Sequence, residues 1–144
     1  MSRRRQIVRP LLVVGVATAL AIQLVPYGWP QTDPPVRVDA PWPDEQAAEL
    51  ARTACYSCHS NEPDRPFYAY VAPMSWLVRR DISQARDELN FSEWDRDAGE
   101  ADDAVDALLD GSMPPRRYTL VHRDAALSDA ERRVLVDALR AMED

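Results

Sequence analysis

Apolar positions along the chain fall into one continuous run and four spaced stripes. The run is Leu11 to Val25 (LLVVGVATALAIQLV), broken by Gln23 and preceded by Arg3, Arg4, Arg5 and Arg9. A basic flank before a short apolar run is the pattern of a secretory signal or a signal-anchor. A full span needs roughly 20 apolar residues. Pro10 to Trp29 reaches that length if Gln23 is tolerated and Tyr27 and Trp29 sit at the interface. Ala19-Leu20-Ala21 resembles a cleavage site but lies deep in the run, so an uncleaved transmembrane helix within residues 1–29 is the expectation. Positive charge stays on the cytoplasmic side of the cytoplasmic membrane, which would put the rest of the chain on the periplasmic side. Six of the twelve prolines fall in residues 26–43, so 30–43 reads as an extended, polyproline-like linker.

Beyond residue 43 the spacing changes to that of helices. Ala47, Ala51, Ala54 and Cys58 share one face, with Asp44 placed to cap its start. Val78, Ile82, Ala85 and Leu89 form a second stripe that begins after Pro73. Ala101, Val105, Leu108 and Leu109 form a third over about 98–110, with Gly111 as its stop. Leu135, Ala138, Leu139 and Met142 form a fourth, opened by a Ser128…Glu131 capping box. Nothing alternates as a strand. The expected fold of 44–144 is therefore all-α, about four short helices with long loops, and its core is thin for a domain of this size.

Composition narrows the chemistry. The 144 residues allow one ordinary domain plus a short extra segment. After residue 30 there are 13 Arg and no Lys against 24 acids, a balance of −11, which excludes nucleic-acid binding through the general field. Only Gly99 and Gly111 lie beyond residue 30, so there is no phosphate-cradling glycine loop. Two cysteines exclude a disulfide-rich scaffold.

Both cysteines and one of the two histidines fall within Cys55-Tyr56-Ser57-Cys58-His59, a C-x-x-C-H haem-attachment pattern. Cysteines at i and i+3 lie on one side of a helical turn and can form thioethers with both vinyl groups of one haem c. His59 follows at once and can bind the iron axially. Three rivals fit less well. A thioredoxin-like pair wants its first thiol at a helix N-terminus, whereas this one falls at a helix end. Zinc needs four ligands, and adjacent Cys58 and His59 point poorly at one tetrahedral ion. A disulfide here would close too small a loop to stabilise much. For the sixth iron ligand the candidates are Met74, Met113, Met142 and His122. Met113 is the best placed, between Gly111 and Pro114-Pro115 on a stiff, non-helical loop. An open site remains an alternative.

The stretches CYSCHSNEPDRPFYAYVAPMSWLV (55–78), LNFSEW (89–94) and GSMPPRRYTLVHRDAALSDAE (111–131) resemble a small, membrane-anchored bacterial haem-binding domain family, itself similar to class I c-type cytochromes. The resemblance covers about residues 44–142. It implies covalent haem c on Cys55 and Cys58, His59 as axial ligand and Met113 as distal ligand. Phe67, Tyr68, Tyr70, Trp76 and Tyr118 are further candidates for pocket walls, and Arg116 and Arg117 for partners of the haem propionates. Glu100, Asp102, Asp103 and Asp106 read as a solvent-facing helix side or a docking patch for a basic redox partner. The function expected is single-electron transfer outside the cytoplasmic membrane by a monohaem cytochrome c, not an enzyme. The alternative is a haem-based redox or gas sensor with a labile sixth ligand. A peroxidase-like activity has only His122 as a spare acid–base group.

Overall fold

The computed structural model describes residues 3–25 and 32–142. Helices follow in the order α1 (Arg3–Ile22), α2 (Glu45–Ala54), α3 (Tyr56–His59), α4 (Met74–Glu88), α5 (Trp94–Asp97), α6 (Ala101–Leu109), α7 (Arg116–Thr119) and α8 (Asp129–Ala141). Short 3-10 turns stand at Phe67–Tyr70, Ala98–Glu100 and Arg123–Ala125. Among the described residues the only β pairing is an isolated bridge between Val38 and Glu93. The all-α expectation holds, but its N-terminal transmembrane helix does not. Among the described residues no helix is long and apolar enough to cross a membrane. The physical reason lies within α1. Four of its first seven residues are Arg, and it ends at Ile22. Its apolar part, Pro10 to Ile22, rises about 20 Å, short of the roughly 30 Å hydrocarbon core. Residues 26–29 of the expected span lie outside the described residues. The expected single-pass placement in the cytoplasmic membrane requires such a span and is not supported.

The chain divides into two units, one of residues 1–32 and 65–80, the other of 33–64 and 81–144. In the first, Gln23 is more than an interruption of an apolar run. Its amide donates to the carbonyls of Ala19 (3.0 Å) and Ala72 (3.1 Å) and accepts from the Ala72 N–H (3.0 Å). The amide thus meets the Ala72 peptide from both sides, which satisfies polar groups that an apolar side chain would leave bare.

The second unit carries the chemistry. Asp44 caps α2 as expected, its carboxylate accepting from the Ala47 N–H at 2.8 Å. Ala47, Ala51 and Ala54 are buried along the expected stripe. Helix α6 follows its stripe through Ala101, Val105 and Leu108 but leaves Leu109 exposed. Gly111, at φ +76°, turns the chain out of α6, a left-handed conformation natural to glycine. Helix α8 opens on the full Ser128–Glu131 capping box and buries Leu135, Val136, Ala138 and Leu139. It packs on both α2 and α6. Its core neighbours include Tyr56, Leu89, Phe91 and Trp94. Residues 37–40 also belong to this unit. The N–H groups of Arg37 and Ala40 donate to the Ser92 and Phe91 carbonyls, and the Trp94 N–H donates to Val38.

Asp44 holds the start of the helix that leads into the cysteine motif. Asp44→Ala is expected to lower stability by about 1 kcal/mol, read as a fall in the urea midpoint at unchanged slope. An unchanged midpoint would mean that the cap is idle.

Candidate functional site

The helical stripe of α2 does not run unbroken through the motif. Cys55, at φ −121° and ψ −43°, stands as a joint between α2 and the single turn α3. The N–H groups of Cys58 and His59 both return to the Cys55 carbonyl, at 3.0 and 2.9 Å. Cys55, Cys58 and His59 all line the same cavity, of about 400 Å³. Its apolar walls include Trp42, Leu89, Phe91, Leu108, Leu135 and Leu139. Met113, Pro114, Pro115 and Tyr118 form part of another wall. Charged lining groups are Asp81, Glu88, Glu100, Asp103 and Arg117.

The electrostatics of the three motif side chains follow from burial. Burial pushes the Cys55 thiol up to about 12, with Cys58 nearby adding to the rise. Burial raises Cys58 too, helped by Asp81. Both sulfurs are therefore protonated thiols at neutral pH, a poor basis for thiolate exchange chemistry. Burial holds His59 below the ordinary imidazole value, against hydrogen bonds that favour its charged form. Its Nδ1 stands 3.0 Å from the Leu89 carbonyl. A carbonyl only accepts, so Nδ1 carries the proton and Nε2 keeps a lone pair.

His59 is held by main chain as well. Its carbonyl accepts from the Phe91 N–H at 2.8 Å, and the Phe91 ring lies 6.3 Å from the imidazole. Phe91 also stacks on Tyr56 at 5.5 Å. Next to it sits a buried polar knot. Asn90 donates to the Asn61 side chain at 2.9 Å, Ser92 Oγ accepts from the Asn61 N–H at 3.0 Å, and the Ser92 N–H donates to Asn90 Oδ1 at 3.0 Å. These partners satisfy one another, so the knot is tolerated at full burial and gives the segment one geometry. No period in the sequence marks this clamp of residues 89–92 on His59 and Asn61. The visible signal was the LNFSEW stretch itself, two small polar residues among large apolar ones. Trp42, which falls within the expected linker, also walls the cavity. Its Nε1 donates to the Tyr56 hydroxyl at 2.9 Å, and that hydroxyl donates to Asp39 at 2.8 Å.

The cavity gathers Cys55, Cys58, His59, Met113, Tyr118 and Arg117 from the expected residues. Arg117 also pairs with Asp81 at 3.1 Å. Arg116 is exposed and does not line the cavity. Tyr68 and Trp76, with Phe67 and Tyr70, belong to the other unit and are not among its walls. Of the four candidates for a sixth ligand, only Met113 lines the cavity. Met142 packs against the hydrophobic core, Met74 opens α4, and His122 stacks on Tyr118 at 4.3 Å. Glu100 and Asp103 line the cavity, while Asp102 and Asp106 face solvent. No group of three or more His, Cys, Asp or Glu side chains converges as metal ligands among the described residues.

The donor set suits a large apolar ring carrying iron at its centre: apolar walls, two thiols, an imidazole with a lone pair and a thioether. A family model described as a haem-binding domain matches residues 17–141. No curated protein matches the chain, and no solved structure does.

Proposed function

Because the chain belongs to the haem-binding domain family, and so is a haem-binding protein, we propose that it holds one haem c covalently and serves as a single-electron carrier. The observation that carries this reading is the meeting of Cys55, Cys58, His59 and Met113 in one cavity. Cys55 and Cys58 would hold the haem through thioethers, each formed by net addition of a thiol S–H to a vinyl group, so that no oxidant or reductant would be needed. His59 would bind the iron through Nε2, with its ring fixed by the Leu89 carbonyl at Nδ1. Met113 would supply a thioether to the same iron. Arg117 is the cation available to a propionate, since a guanidinium suits a carboxylate. Bound haem supplies an iron that cycles between ferrous and ferric forms. The protein supplies ligation, exclusion of water and orientation. The acids among the lining residues, Asp81, Glu88, Glu100 and Asp103, favour a basic redox partner.

Two measurements separate this role from sensing. The reduced protein is expected to give up one electron in a single fast phase to a small oxidant, and to show no spectral change under carbon monoxide. Immediate carbon monoxide binding by the reduced wild type would overturn the carrier reading and support a labile-ligand sensor.

A further inference from the structure

We propose that Arg132 is a positioning residue that holds Met113 in place; this rests on the reading of Met113 as the sixth ligand. A helix leaves its last four carbonyls without intrahelical partners. At the end of α6 three of them find specific ones. The Asp106 carbonyl takes the Asp110 N–H at 2.9 Å. The Ala107 carbonyl takes the Met113 N–H at 3.1 Å and the Ser112 hydroxyl at 3.2 Å. The Leu108 carbonyl takes Nη1 of Arg132, and the same Nη1 lies 3.2 Å from the Met113 carbonyl.

One guanidinium nitrogen thus ties the end of α6 to the residue after the turn at Gly111. The need for it is visible in the sequence beyond Met113. Pro114 and Pro115 have no N–H, so neither can donate a main-chain hydrogen bond to anchor the segment. Met113 is 38% exposed, so packing alone does not pin it. A cation at the C-terminal end of α6 is also favoured by the helix dipole. Arg132 stands three and seven residues before Leu135 and Leu139, on the face of α8 that walls the cavity. That face therefore supplies apolar lining and a brace for the Met113 loop together.

The test uses the haem-loaded full chain and added imidazole as a competing ligand for ferric iron. Arg132→Gln is expected to raise imidazole affinity roughly tenfold, the scale of one charge-assisted hydrogen bond, and to weaken the methionine-to-iron charge-transfer band. Arg132→Lys, which keeps the charge but not the planar fork, is expected to fall between wild type and Arg132→Gln. Val136→Ala removes buried α8 packing away from the cavity and should lower stability with imidazole affinity unchanged. If Arg132→Gln binds imidazole as the wild type does while Met113→Ala binds it tightly, the brace is wrong and the ligand reading stands. If Val136→Ala gains as much affinity as Arg132→Gln, the effect is general loosening and the brace is again wrong. If Met113→Ala leaves the band and the affinity unchanged, the ligand reading itself fails and takes the brace with it.

Discussion

Replacing Cys55 and Cys58 together by serine is expected to abolish haem that travels with the denatured chain. In the wild type, haem-dependent peroxidase staining should coincide with the protein band on a denaturing gel, and acidified organic solvent should extract no haem. In the double variant the band should be unstained and the haem extractable. The reason is local. Both cysteines line the cavity from one turn, and serine keeps the size but cannot form a thioether. His59, the proposed axial ligand, is unchanged, so the double variant should still take up haem from solution, reversibly. Each single variant should retain one linkage and stain, with a shifted pyridine-haemochrome band from the vinyl group left free. Persistent staining in the double variant would remove the covalent reading.

Met113→Ala should lower the reduction potential by on the order of 0.1–0.3 V, a fraction of the roughly 0.8 V that axial ligands span. A thioether favours ferrous iron, and its removal leaves a position open to water, hydroxide or an added ligand. The same variant should acquire carbon monoxide binding in the reduced state and lose the methionine-to-iron band. Met142→Leu is the control. Met142 packs on the core, so a swap of similar volume should leave the potential where it is. A potential unchanged in Met113→Ala would mean that the thioether is not on the iron.

Much of this site was legible because its parts are close in sequence. The C-x-x-C-H turn, the Asp44 cap, the Ser128–Glu131 box and the stop at Gly111 each depend on residues within five positions. Met113 stood out because glycine and proline flank it, and those residues exclude helix. The rest depends on pairings that no period reports. Gln23 looked like a polar fault in an apolar run, and its role is set by Ala72, 49 residues on. The run itself was read by composition, while the helix that forms includes the Arg-rich flank and stops at Ile22. Trp42 looked like part of a proline-rich linker, yet its indole hydrogen-bonds to Tyr56. Asn61, Asn90 and Ser92 are polar residues buried by mutual satisfaction, and polarity alone assigns such residues to the surface. Arg116 and Arg117 are adjacent and chemically identical, and the one-turn helix α7 decides which lines the cavity.

The clamp on His59 and the turn that carries the thiols differ in the length of chain each must close. The two thiols sit three residues apart on a turn that closes through the Cys55 carbonyl, a local step measured in fractions of a microsecond. The imidazole's partner is Leu89, separated by 30 residues, and closing a loop of that length costs about 3 kcal/mol of chain entropy before any contact repays it. The spacing of the thiols needs only a local closure, whereas the orientation of the imidazole needs that long loop closed. On the proposed reading, a change in residues 89–92 would disturb the bond to iron more than the attachment at the thiols.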